Sequence, residues 1–430
     1  MRKGIKFLAM MLVFAMFFST MVSAAPTINE HGAIVAPDED SPVEISIDKI
    51  LQMPIGTITP DATFTFAAEP ISVDGIAYNN DEDNPNMPPL NADNMTVSFD
   101  DTDTASQPDA NNIITVNKPT SNIFAGVTFP HAGIYIYEIT ENVLTNPILD
   151  DEDNPHDFVS YSQAVYRIVV YVSNTEGFTG TFVNAVGIFQ VALDDGTEIE
   201  GEGTKLPQIT FTNDYVRTNG AVDPEDPDPT FESTLDVSKI VTGDLANKER
   251  YFNFSLTLGI PILVEDVPAY YRAYVVEDDV VIDPVNNADA ALINRLPEGS
   301  LPYIRISTTG STAFNLKHGQ KLVFVDTPVG TSYIVEETGV TNYTPSFIIT
   351  TNAVPGYRIE GDAGESLSTE TQFVGHLANA ADFTNNRTSV VPTGININNL
   401  PFYGLIALAI GAFIGFVAIK SRKRKAVAGK

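Results

Sequence analysis

Glu44-Ile45-Ser46-Ile47-Asp48-Lys49-Ile50 alternates between apolar and polar residues. A strand sends successive side chains to opposite faces, so Ile45 and Ile47 share one face and Ser46 and Asp48 the other. The same register carries Lys49 onto the apolar face. Lysine is almost never fully buried without a partner, so a second polar group is expected beside it. Thr234-Leu-Asp-Val-Ser-Lys-Ile-Val241 repeats the pattern: Leu235 and Val237 share a face, and Lys239 is next in register. Each half of the chain thus opens with a strand that aims a lysine at a core.

The rest of the repeat follows in order. Tyr137-Glu-Ile-Thr-Glu141 places Tyr137, Ile139 and Glu141 on one face, and Tyr333-Ile-Val-Glu-Glu337 does the same with Tyr333, Val335 and Glu337. Near the end of each half, Asn213 is in register with Ile209 and Phe211, and Asn385 with Phe383. Taken singly, each polar residue reads more readily as a strand end reaching solvent. The same three residue types in the same order, in both halves, are harder to explain that way.

Two chemical readings fit a buried Lys, Glu and Asn. One is a salt bridge capped by the amide, for which desolvating both ions costs several kcal/mol that is often not recovered. The other uses that penalty. Burial lowers a lysine pKa and raises a glutamate pKa, so moving one proton from Lys to Glu removes both charges. A neutral amine then stands beside a carboxylic acid able to donate to the Asn carbonyl. The amine attacks the amide carbon, ammonia leaves, and an isopeptide bond remains, with folding supplying the proximity. On this reading Glu141 and Glu337 assist, and Lys49–Asn213 and Lys239–Asn385 are joined.

The remaining chain reads as all-β. Short runs rich in Val, Ile, Thr, Tyr and Phe are punctuated by Gly, Pro, Asn and Asp, among them Thr63–Phe66, Ile134–Tyr137, Tyr166–Tyr171, Phe252–Leu256 and Lys321–Val325. Only Ala288–Leu296 has a helical look. Two tandem immunoglobulin-like β-sandwiches are the expected architecture. There is no cysteine, so no disulfide staples it, and the five histidines stand singly at 31, 131, 156, 318 and 376, which disfavours structural zinc. No metal or other cofactor is implied. The acidic runs Asp81-Glu-Asp-Asn-Pro85 and Asp151-Glu-Asp-Asn-Pro155 lack the glycine and closing glutamate of a calcium loop and read as solvated charge. No Ser/His/Asp order or Gly-rich phosphate loop suggests a turnover enzyme.

The ends have their own logic. Residues 1–24 carry Arg2, Lys3 and Lys6, an apolar run from Phe7 to Phe18, and a small-residue cleavage site at Val22-Ser-Ala24, the pattern of a secretory signal. Residues 400–419 are apolar and charge-free, long enough to span a hydrocarbon core of roughly 30 Å. They precede the basic cluster Lys420-Ser-Arg-Lys-Arg-Lys425, which stays cytoplasmic. Between these ends, 15 Lys+Arg face 55 Asp+Glu, a formal charge of −40, which argues against nucleic acid as a partner.

At these residues the chain resembles the sortase-assembled pilins of Gram-positive bacteria, in particular streptococcal major pilins with isopeptide-linked domains. The resemblance runs from about Ser41 to the C-terminus. It rests on the lysine strand, the Tyr-x-(Ile/Val)-x-Glu strand, the Phe-Thr-Asn strand end and the tail. It implies CnaB-like sandwiches with triads Lys49–Glu141–Asn213 and Lys239–Glu337–Asn385, the choice of Glu337 over Glu336 resting on register. Val391-Pro392-Thr393-Gly394 resembles a sorting signal, to be cut after Thr393 by a sortase. The acceptor would be a lysine of an identical subunit: Lys205, in Lys205-Leu-Pro-Gln-Ile-Thr-Phe-Thr-Asn213, with Lys118 in reserve.

The implied organisation is a signal peptide at 1–24, an extension at 25–40, sandwich one at 41–216, an acidic proline-rich linker at 217–232 and sandwich two at 233–388. A sorting motif at 389–394, a membrane segment at 400–419 and a basic tail at 420–430 complete it. The implied role is a shaft subunit of a covalent cell-surface pilus, its precursor held in the membrane, with sortase, minor pilins and peptidoglycan as further partners. A wall-anchored adhesin or minor pilin binding a host or matrix ligand is the alternative. Tension entering at Lys205 and leaving at Thr393 would then cross sandwich two through its isopeptide, leaving roughly 214–238 as the stretch free to lengthen.

Overall fold

The computed structural model describes residues 27–29, 32–78, 87–143, 149, 156–218, 228–231, 233–264, 267–295 and 300–388. It also describes 405–406, 408–410 and 412–413. The signal peptide, both acidic runs, most of the linker, the sorting motif and the basic tail lie outside them, as does most of the apolar span. Among the described residues, no helix is long and apolar enough to cross a membrane.

Nearly all regular structure is β. The strands that precede residue 218 form a nine-stranded and a four-stranded sheet; those that follow form a ten-stranded and a five-stranded sheet. Each pair of sheets encloses one main apolar core. The first gathers Ile47, Leu51, Phe64, Tyr137, Ile168 and Phe211. The second gathers Val237, Phe254, Ile304, Phe324, Val335 and Phe383. Alternation in the sequence accounts for the layers: in Ile47–Pro54 every other side chain is buried as far as Met53, so one face meets the core.

In both sandwiches the first long strand and the last lie side by side and parallel. Ile47–Pro54 pairs with Ile209–Arg217, and Leu235–Thr242 pairs with Ala380–Asn386. Parallel neighbours cannot be joined by a tight turn; here the entire domain is the connection. Each glutamate arrives on a strand of the facing sheet, Gly133–Glu141 in the first sandwich and Ser332–Glu337 in the second.

The helical expectation at Ala288–Leu296 does not hold. As far as residue 295 the segment is turns running into a short strand, Ile293–Asn294, and residue 296 lies outside the described residues. Asp289 explains this: its Oδ1 accepts from the backbone N–H of Ala291 at 2.9 Å, a local turn that competes with a helix. Asn287 anchors the start of the segment, its Nδ2 donating to Asn315 O and to Gln320 Oε1, both at 2.8 Å.

The two sandwiches touch. Val329 N–H donates to Arg217 O at 2.8 Å and His376 N–H to Gly56 O at 3.0 Å, while Ile58 N–H donates to His376 Nδ1 at 3.3 Å. Thr218 and Pro328 form a β-bridge across the gap. Gly330, with φ +84°, lies against Pro54, where an added Cβ would stand 2.3 Å from Pro54 Cβ.

Candidate cross-linking sites

The parallel pairing brings lysine and asparagine together with the same offset in both halves. Lys49 is opposite Phe211 and Leu51 opposite Asn213; Lys239 is opposite Phe383 and Val241 opposite Asn385. Residues two apart on a strand share a face, so each lysine and its asparagine are diagonal neighbours under one roof. The glutamate projects from the opposite sheet into the space between them.

All six residues are buried. Lys49, Asn213 and Lys239 are 0% exposed, Glu337 and Asn385 1%, and Glu141 8%. None is a strand end reaching solvent. Glu336 is exposed, so the register selects Glu337. Aromatic rings wall the ammonium groups: Lys49 Nζ lies 5.0 Å from the Phe64 centroid, and Lys239 Nζ 4.5 Å from that of Phe252.

In the first cluster, Lys49 Nζ donates to Glu141 Oε2 at 2.8 Å, and Asn213 Nδ2 donates to Glu141 Oε1 at 2.8 Å. In the second, Lys239 Nζ and Asn385 Nδ2 both donate to Glu337 Oε1, at 2.6 Å and 2.7 Å. Burial lowers the pKa of both lysines to about 8, the neighbouring glutamate opposing the shift. Burial likewise raises both glutamates above the usual carboxylate range, against the pull of the lysines. Both shifts favour the neutral amine beside the neutral acid.

One element of the expected chemistry is differently arranged. The glutamates contact the amide nitrogens, not the carbonyls. In the first cluster the carbonyl Oδ1 of Asn213 accepts instead from the backbone N–H of Ser162 at 2.7 Å. In the second, among the described residues, Asn385 Oδ1 and Glu337 Oε2 have no hydrogen-bond partner. Ser162 was not legible in the sequence. It lies in an irregular stretch between strands, where no periodicity marks the direction of a backbone N–H.

The two acceptor candidates differ in setting. Lys205 is exposed on the short strand Thr204–Leu206, opposite Phe189, with Nζ 5.3 Å from the Phe189 centroid. Lys118 is partly buried, its Nζ 2.7 Å from Asp103 Oδ1. Among the described residues, no group of three or more His, Cys, Asp or Glu is placed to hold a metal ion.

These clusters sit in a chain with recognisable relatives. The chain is 25% identical over 401 residues to a pilin of Streptococcus pyogenes serotype M1, covering 93% of this chain and 95% of that protein. It resembles a streptococcal pilin along nearly its whole length. Residues 233–387 match a family profile described as a domain of unknown function, DUF7601, a span that takes in both sheets of the second sandwich. Among solved structures, the major pilin of Streptococcus pyogenes aligns at 21% identity over 81% of this chain and 100% of that one, with a TM-score of 0.31. A pilus-presented adhesin, Cpa, aligns at 14% identity over 52% and 36%, with a TM-score of 0.23.

Proposed function

We propose that this protein is the repeating shaft subunit of a covalently polymerised surface pilus, and that each sandwich closes an isopeptide bond between its first and last strands. The observation that carries this reading is the duplicated Lys–Glu–Asn geometry, at matching register and near-zero exposure in both halves. A structural ion pair needs only two of the three residues and no particular register; an amide held against the acid, beside an amine, is an acyl-transfer constellation. The likeness to a pilin supports the pilus setting, and Val391-Pro392-Thr393-Gly394 ahead of an apolar span supports joining by a sortase through Thr393. Lys205 is the better acceptor, because a sortase-bound acyl group must reach an exposed amine and Lys118 is partly buried against Asp103.

Intact mass of residues 25–393, measured after denaturation, tests the internal bonds. A deficit of two ammonia molecules is expected, with Lys49→Ala and Lys239→Ala each restoring one. A full mass would reduce both clusters to ion pairs and sink the cross-linking claim. Polymerisation is tested separately: wall extracts boiled in detergent should show a ladder that collapses in Lys205→Ala. A single wall-linked band in the parent strain would support the adhesin reading instead.

A further inference from the structure

In the first cluster the Asn213 carbonyl oxygen already lies 2.7 Å from the Ser162 N–H. This donor is buried and firmly placed. Ser162 Oγ donates to Asp194 Oδ1 at 2.5 Å and accepts from Ala164 N–H at 3.2 Å. Gln163 N–H donates to Asp194 O at 2.9 Å. Asp194 Oδ1 also accepts from Thr212 N–H at 3.2 Å, one residue before Asn213. One carboxylate therefore ties the donor loop to the strand that bears the electrophile.

Building on the cross-linking reading above, we propose that the Ser162 N–H is a one-donor oxyanion hole for closure of the Lys49–Asn213 bond, and that the second sandwich closes its bond without one. Lys49 first passes a proton to Glu141. Its amine then forms the N–C bond to Cγ of Asn213, and the carbonyl π pair moves onto Oδ1, where the Ser162 N–H meets the developing charge. Glu141 returns its proton to Nδ2, which it already contacts, and takes one from the attacking nitrogen. The C–Nδ2 bond breaks, the carbonyl re-forms and neutral ammonia departs, leaving Glu141 protonated and the charge balanced. Labour is thus divided: the backbone stabilises the oxygen and the acid serves the leaving group. A preorganised donor costs no reorganisation at the moment of reaction, and removing one such donor typically slows acyl transfer by about 10²–10³. Around Asn385, where Oδ1 has no partner among the described residues, the acid must serve both ends of the amide or the oxygen must wait for a fluctuation.

The test removes the N–H without adding bulk. Cell-free synthesis of residues 25–393, with an α-hydroxy analogue of serine at position 162, replaces the Tyr161–Ser162 amide by an ester. Samples quenched in guanidinium at intervals are digested, and each cross-linked peptide is quantified by mass. Lys49–Asn213 closure should slow about 10²-fold, while Lys239–Asn385 closure in the same molecules keeps the parent rate and serves as the internal clock. An unchanged Lys49–Asn213 rate overturns the proposal. Should the ester chain fail to fold its first sandwich, judged by trypsin resistance, the parent chain decides. There Lys49–Asn213 must close first, and equal or reversed order overturns the proposal. A parent chain that closes neither bond refutes the cross-linking reading itself, a result distinct from either of these.

Discussion

A lysine with its pKa lowered to about 8 and a glutamate with its pKa raised form one titrating unit at each site. The reactive form, neutral amine beside neutral acid, carries the same number of protons as the ion pair. Its share is therefore constant between the raised carboxyl pKa and about 8. Below that window the pair gains a proton and the amine is blocked. Above it the pair loses one and the leaving group has no acid. Closure rate plotted against pH should accordingly be a plateau falling at both ends, measured by quenched mass time courses. A rate still climbing steeply past pH 9 would show that only the free amine matters. Glu337→Gln should abolish the second bond, whereas Glu336→Gln, on the exposed face, should leave it at the parent level.

The pairing of first and last strands decides which residues can meet. The proposed bond from Lys49 to Asn213 would close a loop holding almost the whole first sandwich, and the chain-entropy relation for cross-links gives roughly 5 kcal/mol for a loop of that length. Asn213→Ala should therefore lower the denaturation midpoint of the first sandwich by several molar units of urea equivalent, at an m-value of about 1–3 kcal/mol per molar. Asn385→Ala should do the same to the second sandwich. Chemical denaturation followed by intrinsic fluorescence of the tyrosines checks both, and a midpoint unchanged in either variant would mean that no bond is lost there. The sequence period disclosed which face each strand buries. It was silent about the parallel neighbour, because hydrogen-bonded pairing is between strands far apart in the chain.

Across the whole molecule, tension between Lys205 and Thr393 would pass along Ile209–Arg217, over the linker, and through Lys239 to Asn385. Among the described residues, 214–217 are inside a paired strand and 235–238 inside another, which takes both ends of the 214–238 stretch out of the extensible part. Thr218 is itself bridged to Pro328. Single-molecule pulling between residues 205 and 393 should show a short extension and no unfolding of a whole sandwich. The contact between sandwiches makes a further prediction. Gly330→Ala places a Cβ against Pro54 and imposes a positive φ on a residue with a side chain, at a cost of roughly 1–3 kcal/mol. Small-angle scattering should then report a wider spread of inter-domain distances, and an unchanged profile would show that the joint does not depend on this close approach.

Strand character, the inward direction of Lys49, Glu141, Asn213, Lys239, Glu337 and Asn385, and the duplication of the whole arrangement were all determined by the sequence alone. Side-chain direction in a strand follows from a period of two, a local property that needs no knowledge of the fold. The tertiary structure alone decided that each lysine lies diagonal to its asparagine, that the acid faces the amide nitrogen, and that Ser162 meets the Asn213 carbonyl. Those facts depend on which distant strands become neighbours and on how a loop is pinned by Asp194. Such contacts come from the closure of the domain as a whole and leave no periodic trace along the chain.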